Sequence, residues 1–201
     1  FRRRVGRLVS GMARLDSESW TYAGLLALAT VPAVVVGLGA RTALENLFDV
    51  PAVAGGALLV TGLGLLTSRA AQARGPSRAP GVRDALIMGL AQAFAIVPGI
   101  SRSGATVVTG LWLGVEAEEA AAFSFLMAVP AILGAAILHV PDLSQGGGMA
   151  WGPLLLGSLA AAISGILAIW SFVKMLERRW FHRFGPYCLA LGAMFLVYLA
   201  I

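Results

Sequence analysis

The sequence predicts an all-α integral membrane protein: a polytopic helical bundle containing one broken, re-entrant helix pair. Three observations predict it. Of 201 residues, 58% are hydrophobic and only 12% charged, and the mean hydropathy is +0.83, beyond the range of soluble domains. The apolar runs have the length that crosses a bilayer. The charges are confined to short intervals between those runs. A large soluble helical core would need a polar face on each helix, and these runs have none. The net charge of +5 does not make a nucleic-acid surface, because the arginines sit at the ends of apolar runs and not on one face among aromatics.

The chain opens with Phe1-Arg2-Arg3-Arg4 and no initiating Met, which reads as a fragment or an incomplete reading frame. The first span is expected over Trp20–Ala40, long enough at 1.5 Å per residue to cross about 30 Å of hydrocarbon, with a kink at Pro32. The second, Val50–Ser68, carries Gly55, Gly56, Gly62 and Gly64, which are expected to let a neighbouring helix approach closely. Arg69–Gly81, with Gly75-Pro76 and Ala79-Pro80-Gly81, is a loop. Next come two apolar pieces, Ala85–Val97 and a second from Arg102 or Ser103 to Val115, separated at Pro98-Gly99. Neither spans a bilayer alone. Together they form a re-entrant hairpin or a discontinuous helix, which membranes tolerate only where the broken backbone is buried in protein or lines a wet cavity.

Further spans are expected at Ala120–Leu138, kinked at Pro130, and at Trp151–Val173 and Phe184–Ile201. Glu116, Glu118 and Glu119 precede the first of these and fit a helix N-terminus better than a metal site. Basic residues cluster before the first span, in the Arg69–Arg83 interval and at Lys174–Arg183, while none falls in Val140–Ala150. The basic intervals are therefore cytoplasmic and the Asp142–Gly148 loop lies outside. Trp20, Trp151, Trp180 and Tyr187 fall near the interfaces as belt anchors. His139 and His182 sit at span ends without the spacing of a metal site, and the single Cys188 is a packing residue in the last span.

Polarity concentrates in Pro98-Gly99-Ile100-Ser101-Arg102-Ser103-Gly104-Ala105-Thr106. Pro98 and Gly99 end one half-helix, and Ser101 or Ser103 caps the next. That leaves free N–H groups at a positive helix end, an anion-binding geometry. Arg102 adds a charged fork able to hold two phosphate oxygens, and Ser101, Ser103 and Thr106 add hydroxyls. Diphosphate suits the set. Arg102 is the candidate catalytic residue; Gly99, Ser101, Ser103, Gly104 and Thr106, with Gln92 on the preceding half-helix, are the candidate substrate-binding residues. Capping, close packing and snorkelling explain each residue singly, but not an arginine at membrane depth among them.

Gly89-Leu90-Ala91-Gln92 through Pro98-Gly99-x-Ser-Arg-Ser-Gly-x-Thr106 resembles the second signature of the bacterial undecaprenyl-diphosphate phosphatases, or bacitracin-resistance proteins, and the order of spans is similar from about Trp20 onward. The resemblance implies hydrolysis of the C55 isoprenyl diphosphate to the monophosphate, recycling a lipid carrier for peptidoglycan synthesis at a bacterial cell membrane. It also implies inverted-topology repeats with paired re-entrant helices, a site open to the outer face, and a divalent cation, Mg²⁺ or Ca²⁺. Arg102 would stabilise the transition state, Ser101 and Ser103 would contact phosphate and Thr106 would support the loop. The family's other signature, an acidic E/Q-x-x-x-E followed by serines and a histidine, belongs to the N-terminal repeat and has no match in this chain, so the resemblance implies that this repeat is truncated or absent, and no metal ligands are assigned. The alternative is a transporter or channel that binds an anion at a broken helix without hydrolysing it. A lipid phosphatase of the acid-phosphatase type would need Pro-Ser-Gly-His, and only a Ser-Arg pair is present.

Overall fold

The computed structural model describes residues 10–11, 14–73, 78–145 and 151–201. The arginines at 2–7 and the linker residues 74–77 lie outside them, as do residues 146–150 of the expected outer loop and the side chains of His139 and Trp151. The described residues are helical: α1 Ser17–Gly39, α2 Arg41–Phe48, α3 Pro51–Gln72, α4 Val82–Phe94, α5 Arg102–Trp112, α6 Ala117–Gln145, α7 Trp151–Glu177, a 3₁₀ turn at Phe181–Arg183, and α8 Phe184–Ala200. Among them the only β-type pairing is an isolated bridge between Arg78 and Val115.

Among the described residues five segments are long and apolar enough to cross a membrane: α1, α3, α6 through Gly134, α7 from Gly152, and the 3₁₀ turn with α8. The protein is a multi-pass membrane protein. Pro32 lies inside α1, an otherwise continuous 23-residue helix. Asp16 caps it by accepting the Ser19 N–H at 3.1 Å, and the Ser19 hydroxyl and amide hold the Asp16 carboxyl below its ordinary range. The expected loop is shorter than the sequence suggests, because α3 runs to Gln72 and takes Arg69 into its last turn. The apolar exterior is extensive; Leu156 and Ile166 on α7 are 71% and 69% exposed, as a lipid-facing helix requires.

The broken pair is a hairpin. Helices α4 and α5 have 13 and 11 residues, about 20 and 17 Å of rise, against the roughly 30 Å of a hydrocarbon core. Its two ends return to one place. Arg78 donates its N–H to the Gly114 carbonyl at 3.2 Å, and its own carbonyl accepts the Glu116 N–H at 3.0 Å. An ion pair from Arg78 to Asp84, with one contact at 2.9 Å, and the Gly81 N–H donated to Asp84 at 2.7 Å lock the start of α4. The Arg78 guanidinium, chiefly by hydrogen bonding, keeps the Asp84 carboxyl below the usual carboxylate range.

Other helices bury this hairpin. On one side Leu25, Leu26 and Ala29 of α1 meet Ala85 and Met88 of α4 and Phe123 and Met127 of α6. On the other, Leu65 of α3 meets Val107, Val108 and Leu111 of α5 and Ala120 and Ala121 of α6. A Cβ at Gly89 would stand 2.4 Å from the Ala29 carbonyl oxygen, so glycine is what lets α4 lie on α1. Helix α3 pairs most closely with α8: Gly55 and Gly62 face Leu196 and Leu189, and Gly185 and Gly192 of α8 return the contact. The close approach expected of the α3 glycines thus holds for Gly55 and Gly62. At Gly56 and Gly64 it does not, since an added Cβ meets nothing within 4 Å.

Candidate functional site

The break lies where α4 ends and α5 begins, three residues earlier than the sequence suggests. Helix α4 stops at Phe94, and the chain passes through tight turns, Ile96 N–H to Ala93, Val97 N–H to Phe94 and Ile100 N–H to Val97. Pro98 offers no N–H to continue a helix. Gly99 adopts φ +93°, and a Cβ there would lie 2.4 Å from the Ala54 carbonyl oxygen and 2.9 Å from Ala57 Cβ. Both its backbone conformation and its contact with α3 demand glycine.

Thr61, inside α3, fastens the loop. Its hydroxyl donates to the Gly99 carbonyl at 3.1 Å and accepts the Ser101 N–H at 3.1 Å. Ser101 then caps α5, its hydroxyl accepting the Gly104 N–H at 3.1 Å. The Arg102 and Ser103 N–H groups, first in the helix, lie ahead of any acceptor within it and form its positive end. The Arg102 side chain is exposed and has no ion-pair partner among the described residues. A guanidinium without an ion-pair partner among the described residues, two available N–H groups and a serine on either side of Arg102 therefore meet at one helix end, held between α3 and α6.

The remaining candidates are placed differently. Thr106 is fully buried; its hydroxyl donates to the Arg102 carbonyl at 2.8 Å and lies 2.6 Å from the Ser124 hydroxyl of α6. It braces the turn that carries Arg102 and is not open to a substrate. Gly104 is buried too, with its N–H given to Ser101. Gln92 is 2% exposed and both polar atoms of its amide lack a protein partner. Glu118 and Glu119 stand in the first turn of α6, beyond the far end of α5. His182 holds the Arg179 carbonyl at 2.9 Å, beside the end of α7. Among the described residues no three His, Cys, Asp or Glu side chains gather as metal ligands. The divalent cation implied by the resemblance finds no ligand set there.

Two residues that hold the loop and its helix escape the sequence reading, Thr61 and Ser124. The available signal is weak: each is a hydroxyl inside an apolar run, costly in a membrane without a partner.

Fold and site together define a polytopic membrane protein with a re-entrant helix pair whose second helix begins at an exposed arginine. The sequence matches the family described as bacitracin resistance protein BacA over residues 1–194. It is 43% identical over 176 residues to an undecaprenyl-diphosphatase of Methanothermobacter thermautotrophicus, covering 86% of this chain and 97% of that protein. It is 33% identical to undecaprenyl-diphosphatase 2 of Streptomyces coelicolor, over 100% of this chain and 76% of the relative. To an undecaprenyl-diphosphatase of Rhodopirellula baltica it is 37% identical, over 85% and 68%. The chain belongs to the bacitracin resistance protein BacA family.

Proposed function

We propose that the protein hydrolyses undecaprenyl diphosphate to undecaprenyl phosphate and inorganic phosphate. The reading rests on membership of a family whose relatives carry the name undecaprenyl-diphosphatase. The observation that carries it in the structure is Arg102, exposed and unpaired at the N-terminus of α5. The bridging P–O bond of the diphosphate breaks, water is consumed overall, and charge accumulates on the terminal phosphoryl oxygens. Arg102 and the helix end are arranged to receive that charge before it forms, so little reorganisation opposes the reaction. Ser101 and Ser103 contact phosphate; Gly99 shapes the turn; Thr106 and Gly104 hold it.

The divalent cation, Mg²⁺ or Ca²⁺, stands apart from this arrangement, because the loop's own charge is positive and the described residues offer no ligand cluster. The activity belongs to the plasma membrane of a bacterium, where it returns the lipid carrier to peptidoglycan synthesis and confers bacitracin resistance. Phosphate release from C55 isoprenyl diphosphate by the purified protein in detergent with Mg²⁺ tests the reading. Arg102→Ala is expected to cut kcat by about 10²–10³ or more. A folded wild-type protein that binds the diphosphate through Arg102 and releases no phosphate would sink hydrolysis and favour a carrier.

A further inference from the structure

We propose that an apolar groove beside the loop seats the first isoprenyl units of the substrate, and that the space left by Gly64 on α3 selects for a polyprenyl chain. The inference rests on the hydrolase reading above and adds where the lipid runs. The groove encloses about 220 Å³ between α3, α4 and α5. It adjoins the loop, since Thr61 lines it while holding both Gly99 and Ser101. Around Thr61 the walls are mostly apolar, with Val60 and Gly64 from α3, Phe94 from α4, and Ala105 on α5.

The α5 periodicity joins the groove to the charge. Arg102, Ala105 and Thr109 are three and four residues apart and share one stripe of the helix. Ala105 and Thr109 line the groove, so a diphosphate held at Arg102 delivers its ester-linked chain to the groove's head. Val60 and Phe94 are 50% and 56% exposed, and in a membrane such a rim opens to hydrocarbon. A lipid chain can therefore enter sideways without passing a polar surface.

Gly64 leaves the α3 wall of the groove open. Two residues away, Gly62 is closed off by Leu189 and Gly185, whereas a Cβ on Gly64 meets nothing within 4 Å. The space beside it belongs to the groove and not to a helix contact. Gly64 lies almost one helical turn beyond Thr61, about 4.5 Å along α3, so a side chain placed there stands beside the groove and not beside the loop.

The test is hydrolysis of C55, C15 and C5 isoprenyl diphosphates by the full chain in detergent with Mg²⁺, comparing wild type with Gly64→Leu and Gly64→Ala. In Gly64→Leu the ratio of kcat/KM for C55 or C15 to that for C5 is expected to fall about tenfold, through a raised KM, because buried methylene contacts are displaced. Gly64→Ala should shift the ratio the same way by less, and it keeps the test alive should the leucine variant not fold. An equal loss on all three substrates, or an unchanged ratio, overturns the groove. If the wild type releases no phosphate from any of them, the hydrolase reading fails separately. The groove is then judged by binding: Gly64→Leu must weaken C15 relative to C5 diphosphate, and equal weakening overturns it.

Discussion

The two faces of α3 use glycine for opposite ends. Toward α8, Gly55 and Gly62 disappear into contact with Leu196, Leu189 and the backbone of Gly185, and two membrane helices seal against each other through small residues. Toward the hairpin, Thr61 spends its hydroxyl on the loop and Gly64 leaves space open. One helix thus serves as a packing strut on one side and as a wall of a binding region on the other. Composition alone does not separate the two, because the same Gly-rich run supplies both.

The sharpest way to break the loop side is Gly99→Ala. It places a methyl 2.4 Å from the Ala54 carbonyl oxygen at φ +93°, and a cost of about 3 kcal/mol with near-complete loss of phosphate release is expected. Thermal melting in detergent beside the activity assay checks this; a stable, active variant would mean that the loop does not depend on its seat against α3.

The contrast within α3 is sharpened by pairing Gly62→Ala with Gly64→Ala. The first drives a Cβ to 2.7 Å from Leu189 Cγ and 2.9 Å from the Gly185 carbonyl oxygen, and should cost about 1–3 kcal/mol. The second enters open space and should stabilise by about 0.5–1 kcal/mol, the usual gain of alanine over glycine within a helix. Melting temperatures moving in the same direction would erase the distinction between the faces. The smallest effect on the site is expected of Ser124→Ala. It removes the hydroxyl 2.6 Å from Thr106 but leaves Thr106 its bond to the Arg102 carbonyl. A loss of about 1 kcal/mol in stability, with a several-fold lower kcat at unchanged KM, fits a brace behind Arg102. An unchanged kcat would confine Ser124 to packing.

Much of this architecture is legible in the sequence, for a specific reason. A bilayer demands long apolar runs, and each run expected to span coincides with a described helical segment long and apolar enough to cross. The broken pair is legible because Pro98-Gly99 interrupts two runs too short to cross. Helix α2 is not. Its eight residues, including the exposed Arg41–Glu45 pair at 2.8 Å, bury nothing, and so short an amphipathic piece resembles a loop. Arg78 reads as one basic linker residue among several, and only the fold reveals Asp84 as its partner. The site divides in the same way. Arg102, Ser101 and Ser103 are neighbours along the chain and announce themselves. Thr61 and Ser124 reach the loop from 40 and 18 residues away, distances that local pattern does not bridge. Thr106, a candidate contact by its hydroxyl and a support of the loop by the resemblance, is buried behind the loop against Ser124.

The closure of the hairpin at its base, where Arg78 lies between Gly114 and Glu116, has a bearing on biogenesis. Neither α4 nor α5 is long enough to be threaded across as a span, and the loop between them carries an arginine that lipid alone receives poorly. The hairpin therefore depends for its shelter on the walls that α1, α3 and α6 supply, and for its loop on Thr61. A variant that loosened those walls would be expected to cost the hairpin its place in the membrane as well as its packing.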